Sequence, residues 1–145
     1  MVSIKLLKKD NYLAMIKNSL NSRAYSDIFI TNNNHKKNIT KNGSLSCAYF
    51  VSSILKIFNL IDDLHLTVAG TISELKSKNY QSITKNKILP GDIIVWSEKN
   101  KHEHIGFYIG NSQAISNSSK LKKIKKHHYT FNKQRVIEKI FRPKL

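Results

Sequence analysis

The spacing of apolar residues along the chain predicts a succession of short elements. In residues 4 to about 20, Ile4, Leu7, Tyr12, Met15, Ile16 and Leu20 fall on one stripe, the pattern of an amphipathic helix. Asp10 offers a later N-cap, so the helix has two candidate starts. "YSDIFI" is extended in character, and "TNNNHKKN" is a polar turn that closes a hairpin onto "ITKNGSL", with His35 as a solvated turn residue. From Ser46 onward, "SCAYFVSSILKIFNLI" is apolar nearly all round and predicts the central buried helix, with Ser44 or Ser46 as its N-cap and Asn59 near its end. "TISE" has capping-box spacing and predicts a helix from Thr71 through Leu75 to about Lys78. "LPGDIIVW" is a turn followed by a strand. After the charged loop "SEKNKHE", the run "HIGFYIG" alternates Ile105, Phe107 and Ile109 with His104, Gly106 and Tyr108, which is strand period with one apolar face. "GNSQ" turns the chain towards "AIS", "KLKKIKKHH" is a basic run with a solvated face, and "RVIEKIF" is a last strand.

These elements make an α+β fold in which a buried helix packs on a small antiparallel sheet beside an N-terminal helix. The 145 residues contain no repeat and no Pro- or Ser-rich linker, so residues 1–145 are expected to be one domain. A single cysteine excludes an internal disulfide and a cysteine-rich zinc site. No run of about 18 apolar residues predicts a membrane span. "MVSIKLLKKDNYLAMIKNSL" lacks the h-region and cleavage site of a secretory signal, so the expectation is a cytoplasmic protein or one exported by a non-classical route.

Two residues carry chemistry. Cys47 opens the predicted buried helix, where unpaired N–H groups and the helix dipole favour a thiolate and are expected to lower its pKa. His104 heads a strand farther along. A cysteine at a helix start and a histidine at a strand edge form the pair that thiol proteases of papain-like architecture use: the imidazole takes the thiol proton, and backbone N–H groups receive the oxyanion.

"SCAYFVSSIL", "LPGDIIVW" and "HIGFYIGNSQAISNSS", in that order across about residues 43–119, resemble the NlpC-type cysteine peptidases and amidases of the papain-like class, and more distantly the CHAP amidases. The resemblance implies Cys47 as nucleophile, His104 as base and Asp92 as the residue that fixes the turn ahead of its strand. It also implies hydrolysis of an amide bond in the peptide stems of peptidoglycan, with no cofactor and no metal. The chain departs from the family in two places. Ser46 and Ala48 flank Cys47 where the family usually has D-C-S-G, and "SNS" stands where it most often has a histidine, in a piece like "HAS". Ser116 aligns with that histidine. A two-residue turn at Asn111-Ser112 puts Asn117 on the His104 face, whereas a three-residue loop puts Ser116 there. The carboxamide is the better acceptor, so Asn117 is the preferred orienting partner of His104 and Ser116 the alternative.

Other histidines have plainer readings. His102 lies out of register with His104. His65, behind Asp62 and Asp63, has the composition of a zinc site but reads as a surface group, and His127 and His128 end the lysine run with a solvated face, one of them having a place near the groove as its alternative. Tyr49 and Trp96 read as core. The formal charge of +16 favours contact with polyanions. Lysine abundance with arginine only at 23, 135 and 142 also matches AT-rich coding, and the lysines are not clustered with stacking aromatics. The partner that the resemblance implies is a peptide or peptidoglycan substrate, and the charge adds the expectation of polyanion contact through the basic surface. A Cys-His protein deamidase or transglutaminase-like enzyme stays open as an alternative, as does a non-catalytic module that binds nucleic acid or cell wall.

Overall fold

The computed structural model describes residues 2–99 and 102–145. Its centre is an antiparallel sheet of six strands in the order β3-β8-β4-β5-β6-β7, where β3 is Gln81–Ser82, β4 Ile93–Lys99, β5 His102–Gly110, β6 Gln113–Ser118, β7 Lys123–His128 and β8 Ile137–Arg142. Helices α1 (Lys8–Asn18), α2 (Cys47–Ile57) and α3 (Val68–Ser77) accompany it, with a separate hairpin of β1 (Phe29–Asn32) and β2 (His35–Asn38). No helix among the described residues is long and apolar enough to cross a membrane.

One face of the sheet is covered by α2. Phe50, Val51, Ile54 and Leu55 of the helix join Ile105, Phe107 and Ile115 of β5 and β6, all fully buried. The apolar residues of "HIGFYIG" thus point at the helix, as their alternation predicts. Tyr12 and Ile16 of α1 close the end of this core, and the Tyr12 hydroxyl donates to the Gly91 carbonyl at 2.7 Å. The opposite face has its own smaller core of Ile94, Trp96, Ala114 and Ile140, covered by Ile83, Ile88, Tyr129 and Phe131 from loops.

Several boundaries differ from the sequence expectation for local reasons. Helix α1 starts at Lys8, leaving Ile4 and Leu7 exposed; its contact with the core begins at Tyr12, which is fully buried with Ile16 while Leu13 and Met15 pack partly against them. In the first hairpin the turn is confined to Asn33-Asn34, both left-handed, so "HKKN" is a strand and not turn; His35 is exposed. The N-cap of α3 is Thr67, whose hydroxyl accepts from the Gly70 N–H, and not Thr71. Glu74 takes no part in capping: its carboxylate accepts from the Asp62 and Asp63 N–H groups and pairs with His65 Nε2 at 2.7 Å. That hydrogen bond is the structural role of His65, and no cluster of metal ligands occurs among the described residues. "KIKKHH" is strand β7, paired to β6 along its length, where the sequence reads only a solvated basic run. Trp96 is fully buried and Tyr49 half-buried.

The turn before β4 is built around Asp92. Its carboxylate accepts from the Leu89 N–H at 2.8 Å and from Arg142 Nε and Nη2 at 3.0 and 2.9 Å, tying the turn to the last strand.

Candidate active site

Cys47 is the first residue of α2, with Ser46 at the N-cap position. The Ser46 side chain makes no capping bond and its hydroxyl is buried without a partner among the described residues, so the N–H groups of the first turn are left for whatever sits beside them. The partly buried Cys47 sulfur is what sits there. Burial pushes its thiol pKa up, against hydrogen bonds from the N–H groups of Ile105, Ala48 and Cys47 itself and the nearby Arg135 guanidinium, which pull it down. The expected lowering by the helix start is therefore outweighed: desolvation of a thiolate costs more than the local N–H groups return. Ile105, the first of these N–H groups, follows His104 directly in β5.

Cys47 and His104 line one cleft of about 560 Å³, bounded by the 41–48 loop, the start of α3, the beginning of β5, Asn117 and Arg135. His102 lines it as well but is exposed, and its carbonyl accepts from Arg135 Nη1. Burial, reinforced by the positive Arg135 and by His127, holds the His104 pKa down at about 3. At neutral pH the cleft therefore contains a neutral thiol and a neutral imidazole.

Ser116, and not Asn117, is the partner of His104. The Ser116 hydroxyl lies 2.9 Å from His104 Nε2, whereas the Asn117 carboxamide points to the helix side of the sheet and donates to the Gly43 carbonyl at 2.8 Å. The reason is a register shift. The turn does have two residues, Asn111 and Ser112, both left-handed, and pairs Gly110 with Gln113. Between Gly110 and Tyr108 the strands slip by one residue, so Tyr108 pairs with Ala114 and Gly106 with Ser116. The extra residue in β5 is a bulge made possible by Gly110 at φ +92°. It exchanges the faces of residues 116 and 117, and Asn117 remains in the cleft wall with its carboxamide bonded to Gly43.

For His127 the sequence favours a solvated face, and the alternative, a place near the groove for it or His128, is the one the structure bears out. Across β6 and β7, Ala114 pairs with His127, so this histidine shares the face of Ser116, and its Nε2 lies 2.7 Å from the same hydroxyl. Its other nitrogen, Nδ1, lies 2.8 Å from the His128 carbonyl. Burial lowers the His127 pKa to about 4. The alternation of "KIKKHH", with Ile124 directed to the core, was the available signal for a strand. Arg135, half-exposed between the two clefts that flank the histidines, had no signal beyond its charge.

Gly106 permits the close approach of these groups. A Cβ there would lie 2.7 Å from both the Ile115 carbonyl oxygen and the Ser116 Cβ, and 3.1 Å from the Trp96 ring. Trp96 pairs directly with His104 across β4 and β5, its ring 5.4 Å from the imidazole.

A model of the NlpC/P60 family matches residues 32–140. Among solved structures, NlpC2 from Trichomonas vaginalis is similar to this chain with a TM-score of 0.61 and 19% identity, over 97% of this chain and 49% of that one. The likeness is one of fold, and this chain spans about half the length of that protein. A search of curated proteins gives no match.

Proposed function

The chain belongs to the NlpC/P60 family, a family of cysteine peptidase and amidase-type hydrolases, and from that premise we propose that it cleaves an amide bond with Cys47 as nucleophile and His104 as general base. The observation that carries this reading is the placement of Cys47, at the start of α2, and His104, near the start of β5, in the wall of one cleft.

The chemistry follows from the protonation states. His104 takes the thiol proton as the sulfur attacks the substrate carbonyl, so charge is created in the transition state instead of being stored as a ground-state ion pair. The oxyanion forms beside the N–H groups of the first turn of α2 and is stabilised by them. The imidazolium then protonates the leaving amine, the acyl group remains on sulfur, and His104 activates the water that releases it. No cofactor or metal enters these steps.

We assign the substrate to the peptide stems of peptidoglycan. The basic cleft walls support this: Lys41, Lys99 and Arg135 line the Cys47 cleft, which suits a peptide carrying free carboxylates. The test is incubation of the full chain with purified muropeptides, read by mass spectrometry. Cleavage at one amide bond, lost in Cys47→Ala, is the expected result. Unchanged muropeptides, with protein glutamine converted to glutamate, would assign the same residues to a deamidase. Neither reaction, with retention on heparin that falls steeply with salt, would make the protein a binding module.

A further inference from the structure

We propose that His127 is a positioning residue that acts on His104 through the Ser116 hydroxyl, supplying from β7 the function that a histidine at position 116 would supply directly. The inference rests on the assignment of His104 as the base of Cys47.

The direction of each hydrogen bond in this chain can be deduced from its far end. A backbone carbonyl only accepts, so the contact between His127 Nδ1 and the His128 oxygen requires the proton to be on Nδ1. In the neutral ring, Nε2 is then an acceptor. The hydroxyl of Ser116 has one proton and must give it to His127 Nε2. Its oxygen is thereby left as an acceptor for His104, whose Nε2 must carry a proton. The lone pair of His104 consequently resides on Nδ1, the nitrogen that does not face Ser116. One carbonyl thus selects, three groups away, the tautomer in which His104 has a free basic nitrogen. A hydroxyl alone cannot do this, because it donates or accepts with equal ease. The low pKa of His127 agrees with the neutral ring that the deduction requires.

The geometry around the chain is built to hold it. Phe131 stacks on His127 with ring centroids 3.8 Å apart and planes 14° from parallel, and its edge meets His104 at 5.6 Å. Phe131 begins a run of three left-handed residues, Phe131, Asn132 and Lys133, an unfavourable backbone for an aromatic residue. Hydrogen bonds from the Phe131 N–H to the His128 carbonyl and from the Lys133 N–H to the Thr130 hydroxyl hold that turn. The His128 carbonyl therefore both fixes the His127 tautomer and anchors the residue that covers it.

The test is long-range proton–nitrogen NMR on the full chain with ¹⁵N-labelled histidine at pH 7, together with kinetics on muropeptide. The wild type is expected to show His104 protonated at Nε2 and His127 protonated at Nδ1. In Ser116→Ala and in His127→Phe, His104 should become a mixture of tautomers. The turnover number should fall by about tenfold or more with KM little changed. The double variant Ser116→His/His127→Ala should recover turnover relative to His127→Ala. A wild-type His104 protonated at Nδ1, or a His127→Phe protein with unchanged tautomer and turnover, would overturn the proposal. The NMR readout needs no activity, so failure of the hydrolase assignment alone, recognised by a wild type that leaves muropeptide unchanged or by turnover that survives Cys47→Ala, leaves the tautomer result to decide the proposal.

Discussion

Burial pushes His104 to about 3 and His127 to about 4, whereas in an unfolded chain both titrate near the ordinary value of about 6.5. Between those limits the unfolded chain binds more protons than the folded one. Stability is therefore complete above about pH 6.5 and is lost as pH falls toward the folded values. Each histidine accounts for up to about 2 kcal/mol of loss by pH 5, since a pKa unit corresponds to about 1.4 kcal/mol. Thermal melts from pH 7 to 4.5 should show a midpoint that falls with pH, and His127→Phe should flatten the fall. A melting temperature insensitive to pH in this window would contradict the buried neutral pair. Cys47 gives a second residue-level expectation. With its thiol raised by burial, alkylation by iodoacetamide should be slow at pH 7 and rise through pH 9, while turnover proceeds at neutral pH through His104. Alkylation that is already maximal at pH 7 would reveal a thiolate–imidazolium pair instead.

At the scale of elements, the β5–β6 hairpin decides which residues meet. Alternation was enough to read β5, its apolar face and the helix that covers it, because period 2 is a property of the residues themselves. The partner of His104 was not legible in the same way: register depends on a single inserted residue, and nothing in "YIGNSQ" distinguishes a bulged Gly110 from an in-register one. His127 was hidden for a related reason. It follows a run of lysines, and its relevance arises only from pairing with β6. The positive φ of Gly110 makes the bulge testable, since Gly110→Ala introduces left-handed strain at a cost of about 1 kcal/mol. It should lower activity beyond that loss of stability if the slipped register relaxes. Gly106→Ala should be harsher. The added methyl meets backbone and Ser116 at 2.7 Å, so a destabilisation of about 1–3 kcal/mol with loss of turnover is expected from melts and assays. Full activity in Gly106→Ala would show that His104 and Ser116 need not approach closely.

For the whole molecule, the site draws on the β7 edge of the sheet, and the turn at Asp92 ahead of β4 is tied to β8. That carboxylate is 3% exposed and is held by Arg142, whose side chain is 30% exposed. Arg142→Ala leaves the charge buried without its cation and should cost about 3 kcal/mol, seen as a shift in denaturant midpoint with unchanged slope. A shift of a few tenths would mean that the pair is solvated. The order of "SCAYFVSSIL", "LPGDIIVW" and "HIGFYIG" made this architecture readable, because each motif lies on the element its pattern predicts and the first and last meet at one cleft. The most direct test of the account is acid quenching of the full chain during muropeptide turnover, followed by peptide mapping. A thioester-linked acyl group on the peptide that contains Cys47, absent in Cys47→Ala together with all turnover, is the predicted result; hydrolysis at the wild-type rate by Cys47→Ala would contradict it.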